Sequence, residues 1–304
     1  MLLVLGSVNI DLTTVASEIP KVGETVFGIS FNQYAGGKGA NQAVCAARLK
    51  TGVCFLGKVG NDSYGDFMLR EMKRSGVDVS RIEICEQSTG VAIISVDTKG
   101  QNSIIVVSGA NYSVDRAYLD RHIGAIESCD ILLAQHEIPL DTTEHAFMLA
   151  KKLNKTTILN PAPAKALSEA MIAATDILVP NEYELARLSG MQCQSLAEIS
   201  LAARALMSKG VKSIIVTLGK QGVMLVSNGI EQVFPSFSVA AVDTTAAGDS
   251  FLGGFATEYM RTGDMAQAIT FGQMVASYTV QHEGAQNSMP YYDQFEAYRD
   301  NLTE

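Results

Sequence analysis

Short apolar runs alternate with longer segments of helical period along most of the chain. The runs at 2–8, 53–58, 130–134, 156–160, 176–179 and 212–218 are rich in Val, Ile and Leu and predict strands. Between them, 39–49, 63–75, 115–127, 141–153 and 195–209 carry apolar residues at three- and four-residue spacing and predict helices. Ser195 and Glu198 can form a capping box at the start of the last helix, and Gly76 and Gly210 stand where helices should stop. Strands that read as unbroken apolar runs are buried on both faces. The pattern therefore predicts an α/β fold, a mostly parallel central sheet layered between helices, with right-handed crossovers.

Two stretches break the alternation. Residues 12–35 and 88–110 read as strands without helices, the second as a hairpin about "DTKGQN". They form either a small β lid over the sheet edge or an antiparallel extension of the main sheet. No repeat, linker or low-complexity segment divides the chain. A single domain over 1–304 is expected, with the lid inserted in it.

Composition narrows the class. Of 304 residues, 47% are hydrophobic and 18% charged, which supports a large core and argues against disorder. The formal net charge of -9 argues against a nucleic-acid surface but leaves room for a local anion site. Cys45, Cys54, Cys85, Cys129 and Cys193 are odd in number and lack CxxC spacing, so buried thiols in a reducing compartment are expected. The opening "MLLVLGSVNIDL" has no basic region and is broken by Gly6, Asn9 and Asp11, so it makes a poor signal peptide and a good first strand. No apolar run reaches membrane-spanning length. A cytoplasmic, soluble protein is expected.

Four polar or glycine-rich fragments lie at strand ends. "AGGKGANQA", 35–43, lets the backbone turn sharply or approach a ligand before a helix begins. A plain strand–helix turn would look similar. In "VDTTAAGDSF", 242–251, small residues leave the first backbone N–H groups of a helix open to an anion, and Asp249 stands beside them. An acid there serves equally as an ordinary helix starter or as a base that takes a proton from an attacking hydroxyl. "PNEYE", 180–184, reads as a cap or a polar site, and "TLGKQG", 217–222, as a turn. In a parallel sheet all four gather at the carboxyl edge, where open α/β sheets bind ligands.

In this order the fragments resemble the ribokinase-like (PfkB-type) carbohydrate kinases over nearly the whole chain. "GGKGANQA" and "DTTAAGDSF" resemble the two family signatures, "PNEYE" the NxxE motif, and "NPAPA" at 160–164 is also similar. "GSVNID" and the late "GAQ" look most like the members that phosphorylate ribose. The resemblance implies a three-layer α/β/α fold with a β lid and ATP-dependent phosphorylation of D-ribose at its 5-hydroxyl. It implies Asp249 as general base and Ala246, Ala247 and Gly248 as an anion hole. Asn9, Asp11, Gly37, Lys38, Asn41 and Glu137 would hold the sugar. Asn181, Glu184, Thr217, Gly219, Gly222 and Gly248 would meet the nucleotide, with Glu184 reaching Mg2+ through water.

A monovalent cation, K+, is implied beside the anion hole at Asp243, Thr245, Thr279, His282, Gly284 and Ser288, several through carbonyls. Thr279 and His282 depart from the family pattern in side-chain type, and Ala246 replaces a glycine common among relatives. A homodimer through the lid is implied as well. The polar sugar set would also suit another pentose, deoxyribose or a nucleoside. A non-catalytic sugar-binding regulator is the alternative of another class, although it would be expected to lose Asp249 or Gly248. A nicotinamide dehydrogenase is disfavoured because the first strand leads into "GSVNID", not GxGxxG.

Overall fold

The computed structural model describes residues 1–302. Its strands are β1 Leu2–Leu5, β2 Asn9–Ala16, β3 Gly28–Gly36, β4 Val53–Gly60, β5 Ile82–Cys85, β6 Gly90–Asp97 and β7 Asn102–Val107. They continue with β8 Ile131–Ala134, β9 Thr156–Leu159, β10 Ile177–Leu178, β11 Ser213–Thr217, β12 Val223–Ser227 and β13 Ile230–Phe234. Nine of them form one sheet in the order β13-β12-β11-β10-β9-β8-β1-β4-β5. It is parallel from β5 to β11 and closes with antiparallel β12 and β13.

The helices are α1 Lys38–Arg48, α2 Ser63–Arg74, α3 Arg116–Arg121, α4 Ile123–Ser128, α5 Leu140–Lys152 and α6 Glu169–Ala173. Then follow α7 Glu182–Ser189, α8 Leu196–Met207, α9 Ala247–Thr262, α10 Met265–Thr279 and α11 Tyr292–Leu302. Side chains alternate across β1, which explains the two cores. Leu2 and Val4 pack with Phe251, Phe255 and other residues of α1, α2, α9 and α10. Leu3 and Leu5 pack on the opposite side with Tyr118, Phe147 and Leu206. A strand covered on both faces must be apolar at every position, as read from the sequence.

The predicted capping box is present: Ser195 accepts from the Glu198 backbone N–H, and Glu198 from that of Ser195. Gly76 and Gly210 have φ of 94° and 131°, past the ends of α2 and α8. The predicted helix 115–127 is instead broken at His122, where φ is -112°. The His122 ring packs edge-on to Tyr118 at 4.7 Å and lies 3.1 Å from Glu83. That tertiary pull replaces the helical path.

Residues 12–35 and 88–110 fall in a separate four-stranded sheet, order β3-β2-β6-β7. It is a small lid and not an extension of the main sheet. β6 and β7 form the expected hairpin, with Gly100 at φ 79° in the turn. β2 begins at Asn9, earlier than the polarity pattern suggests, and this carries Asn9 and Asp11 onto the lid where it joins the large sheet.

Candidate active site

Parallel strands point their carboxyl ends the same way. β1 therefore leads to Ser7, β8 to Gln135 and Glu137, β9 to Asn160, β10 to Asn181 and β11 to Thr217 along one edge. The helix α9 ends its first turn over the same edge. Its N-cap Ala246 is left-handed, with φ 59°. A non-glycine residue holds that conformation at a cost of about 1–2 kcal/mol. In this turn the Ala247 N–H already donates to the Thr244 carbonyl at 3.2 Å, so of these two predicted anion-hole groups it is the Gly248 N–H that stays open, with Asp249 in the same turn.

Asp249 is 7% exposed, and both its oxygens are held. Asn41 Nδ2 donates to Oδ2 at 3.0 Å, and Gln42 Nε2 donates to Oδ1 at 2.9 Å. Behind them, Gln286 Nε2 donates to Asn41 Oδ1 at 3.1 Å, and Gln135 Nε2 to Gln42 Oε1 at 2.6 Å. Asn41, placed by resemblance among the sugar contacts, thus meets the proposed base directly. Gln42, Gln135 and Gln286 were not among the predicted site residues. Gln42 lies inside the "GGKGANQA" fragment, and Gln286 in "GAQ". Gln135 had no sequence signal beyond its place at the end of a strand.

The other predicted sugar contacts converge nearby. Glu137 accepts from the Ser7 hydroxyl at 2.6 Å and from the Lys38 backbone N–H at 3.1 Å. Asn9 Oδ1 accepts from Asn111 Nδ2 at 2.7 Å. Gly37 has φ 88°, and a Cβ there would lie 2.7 Å from the Asn9 nitrogen, so only glycine fits this turn. The Asp11 carboxyl is pushed up to about 6, first by burial, then by the charges of Glu137 and Asp249, with Lys38 pulling against them. The Lys38 ammonium is raised, chiefly by Asp249, while burial opposes.

A cavity of about 170 Å³ joins Lys38, Asn181, Glu184, Thr217, Gly248 and Asp249. Asn181 and Glu184 cap α7 reciprocally: the Asn181 side chain accepts from the Glu184 N–H at 2.8 Å, and Glu184 accepts from the Asn181 N–H at 2.9 Å. Burial raises the Glu184 carboxyl, the Asn181 bond and Lys38 oppose, and Asp249 adds to the rise. Gly219 (φ 54°) and Gly222 (φ 104°) bound the turn after β11. A Cβ on Gly222 would lie 2.0 Å from the Phe234 oxygen, so that glycine serves the turn itself. A larger groove of about 590 Å³ beside α7 contains Lys165 and Arg187, but no carboxylate and none of the predicted site residues, so the chemistry is assigned to the smaller cavity.

Asp243 ties two loops together. Its Oδ1 accepts from the Thr245 N–H and its Oδ2 from the Gly284 N–H, each at 2.9 Å. Burial pushes Asp243 up, but the Thr245 and Gly284 bonds outweigh it and hold the carboxyl below its ordinary range. Thr279 and Ser288 are buried and direct their hydroxyls to the carbonyls of Val275 and Ala285. The exposed His282 ring stacks on Tyr278 at 4.4 Å. These two hydroxyls are committed inward, so a cation here would rely on backbone carbonyls and the Asp243 charge. Among the described residues, no three His, Cys, Asp or Glu side chains cluster as a dedicated metal cage. The pair Glu184 and Asp249 suits a water-clad Mg2+ arriving with a nucleotide.

The sequence profile of pfkB family carbohydrate kinases matches residues 1–291. The chain is 39% identical to a deoxyribokinase of Salmonella typhi over 97% of both chains. It is also 39% identical to a ribokinase of Haemophilus influenzae over 95% of both. A solved Arabidopsis thaliana ribokinase, complexed with ribose and ATP, superposes with a TM-score of 0.93 at 32% identity, covering 98% of this chain and 97% of the other. The chain belongs to the pfkB family of carbohydrate kinases.

Proposed function

We propose that this protein transfers the γ-phosphoryl group of ATP to the 5-hydroxyl of D-ribose, giving ribose 5-phosphate and ADP. The observation that carries the reading is Asp249 within the first turn of α9, beside the open N–H of Gly248 and facing the cavity that also holds Lys38. Asp249 takes the hydroxyl proton as the sugar oxygen forms its bond to phosphorus. The bond from phosphorus to the bridging oxygen breaks, and its electron pair leaves with ADP. The Gly248 N–H, the positive end of α9 and the Lys38 ammonium stabilise charge on the phosphoryl oxygens. Asn9, Asp11, Gly37 and Glu137 orient the sugar, and Thr217, Asn181 and Glu184 face the nucleotide. Glu184 would hold Mg2+ through water, and the ion would supply charge neutralisation at the phosphates. A K+ bound by the Asp243 and Gly284 loops would stiffen the adjacent anion hole.

The lid closes on the sugar and excludes water, the competing acceptor. Ile104, Ile105, Val106 and Val107 of β7 are all between 47% and 62% exposed. Four successive exposed apolar residues on an edge strand favour a homodimer through the lid. Five free cysteines suit a cytoplasmic location. Deoxyribose phosphorylation is the second reading, favoured by the deoxyribokinase relative at the same 39% identity.

The test is ADP release from ATP and Mg2+ with D-ribose, 2-deoxy-D-ribose, other pentoses and nucleosides, each with K+ or Na+. Highest kcat/KM with D-ribose and stimulation by K+ would support the reading. A preference for deoxyribose would move the protein to the second one. No turnover with any acceptor would reject both.

A further inference from the structure

Two buried glutamines stand behind the carboxylate without reaching the cavity. Gln42 and Gln135 are both 0% exposed, so neither touches a bound sugar or nucleotide in this arrangement. The Gln42 amide is satisfied on every side. One face of its NH2 meets Asp249 Oδ1 at 2.9 Å and the other Asn160 Oδ1 at 3.3 Å, while its own oxygen accepts from Gln135 Nε2 at 2.6 Å. Asn160 is held in turn by donating to the Val179 carbonyl at 3.0 Å. Turning the Gln42 amide over would set its oxygen against two acceptors and its NH2 against that of Gln135. One orientation is therefore enforced.

Gln135 has the less comfortable end of this chain. Its Oε1 is buried with no hydrogen-bond partner. A buried acceptor left unpaired costs free energy, and turning the amide to relieve it would withdraw the donor from Gln42. The strand end also crowds that oxygen. A Cβ on Gly6 would lie 2.2 Å from it, so the glycine at the end of β1 leaves the space in which Gln135 sits.

We propose that Gln42 and Gln135 form an amide relay that positions Asp249 for proton abstraction. Gln135 acts only through Gln42. The relay fixes the carboxylate rotamer from behind, leaving the outward lone pairs to the acceptor hydroxyl, while Asn41, itself held by Gln286, donates to the second oxygen. The inference rests on Asp249 being the base of the proposed phosphoryl transfer.

The test is a double-mutant cycle on turnover, using Gln42→Met, Gln135→Met and the double variant. Each is assayed with ATP, Mg2+ and D-ribose, and also for slow ATP hydrolysis with no sugar. Loss of the Gln42 donor should lower kcat at least about tenfold, with KM for ATP and ribose within about threefold. Gln135→Met should lower kcat by about three- to tenfold, and the double variant should match Gln42→Met within about twofold. Losses that multiply in the double variant would overturn the relay, as would a Gln42→Met enzyme with wild-type kcat. Should Gln42→Met fail to fold, unchanged kcat in Gln135→Met is the overturning result. A wrong sugar would show as poor wild-type turnover with ribose. The relay is read as a ratio of variant to wild type, and sugar-free hydrolysis supplies that ratio independently of the sugar.

Discussion

Gly253 should control how well Asp249 is placed, although it is remote from the cavity. It follows Asp249 by one turn of α9 and packs on Cys45, which follows Asn41 by one turn of α1. A Cβ at residue 253 would lie 2.6 Å from Cys45 Cβ, 2.8 Å from its Sγ and 3.0 Å from the Gln42 backbone carbonyl oxygen, against 3.4–4 Å for ordinary contact. All three atoms belong to α1, so Gly253→Ala forces α1 and α9 apart by about 1 Å. Overpacking of this kind costs about 1–3 kcal/mol, or about 2–5 °C in Tm for a chain of this size. The same displacement falls on the bonds of 3.0 and 2.9 Å that hold the carboxylate. A catalytic group misplaced by about 1 Å loses up to about 100-fold in rate. The assay pairs calorimetric melting with initial rates of ADP release at saturating ATP and ribose. Expected is a modest fall in Tm with a 10- to 100-fold fall in kcat, both approximate. Adding Cys45→Gly removes the two nearest atoms and should recover kcat, while glycine in the helix costs about another 1 kcal/mol of stability. Full kcat in Gly253→Ala, alongside the expected loss of Tm, would refute the claim that this close approach sets the base.

Asp249→Asn should fold and bind nucleotide while losing about 10³-fold or more in kcat, since no base remains; near-normal turnover would remove Asp249 from the mechanism. Asp11 titrates at about 6 in the folded chain, above its unfolded value, so the folded state binds the extra proton and stability falls as pH rises from about 4 to 6. Asp11→Asn should therefore raise Tm above pH 6 and leave it unchanged near pH 4, while weakening sugar binding. A gap of the same size at both pH values would exclude this linkage. In the wild type, KM for the sugar should fall as pH rises through about 6, because the ionised carboxylate is the better acceptor. Asp243→Asn replaces an acceptor of two backbone N–H groups and should abolish any K+ stimulation more than it lowers the basal rate; equal loss of both would point to simple loop damage.

The parallel core was legible because burial on both faces leaves an apolar run with no polar face to confuse it. β1 reads as strand at every residue for this reason. β12 and β13 were harder, since "VMLVSNGIEQVF" mixes buried and exposed positions at the sheet end. The helix 115–127 was misjudged because a local period carries no information about His122, whose ring is drawn to Tyr118 and Glu83. Of the site, Asp249 and Lys38 stood out because they interrupt glycine- or alanine-rich turns, and Asn181 because it stands as a cap between a strand and a helix. Gln135 could not be found that way. Its neighbour Gln42 is 93 residues distant in sequence, on α1; the two meet because β8 pairs with β1, and the Ser7 carbonyl just past β1 holds the start of α1 through the Ala40 N–H.

The charges at this site constrain its ligands further. Asp11, Glu137, Glu184 and Asp249 surround one ammonium, that of Lys38, and all four raise it, Asp249 the most. Four acids against one cation repel a bare nucleotide polyphosphate. On the proposed reading, a sugar hydroxyl that donates to Asp11 would ease this by lowering the cost of holding that carboxylate ionised. A nucleotide would ease it by arriving with a divalent cation, whose charge would offset that of Glu184 and the phosphates. Metal-free ATP should therefore bind much more weakly than Mg-ATP, and the difference should shrink in Glu184→Gln, where one repelling charge is gone. Titration calorimetry with and without Mg2+ measures both. Equal affinity for ATP and Mg-ATP in the wild type would mean that the α9 N–H groups and Lys38 alone outweigh the four carboxylates, and that the metal acts only on the reacting phosphoryl group.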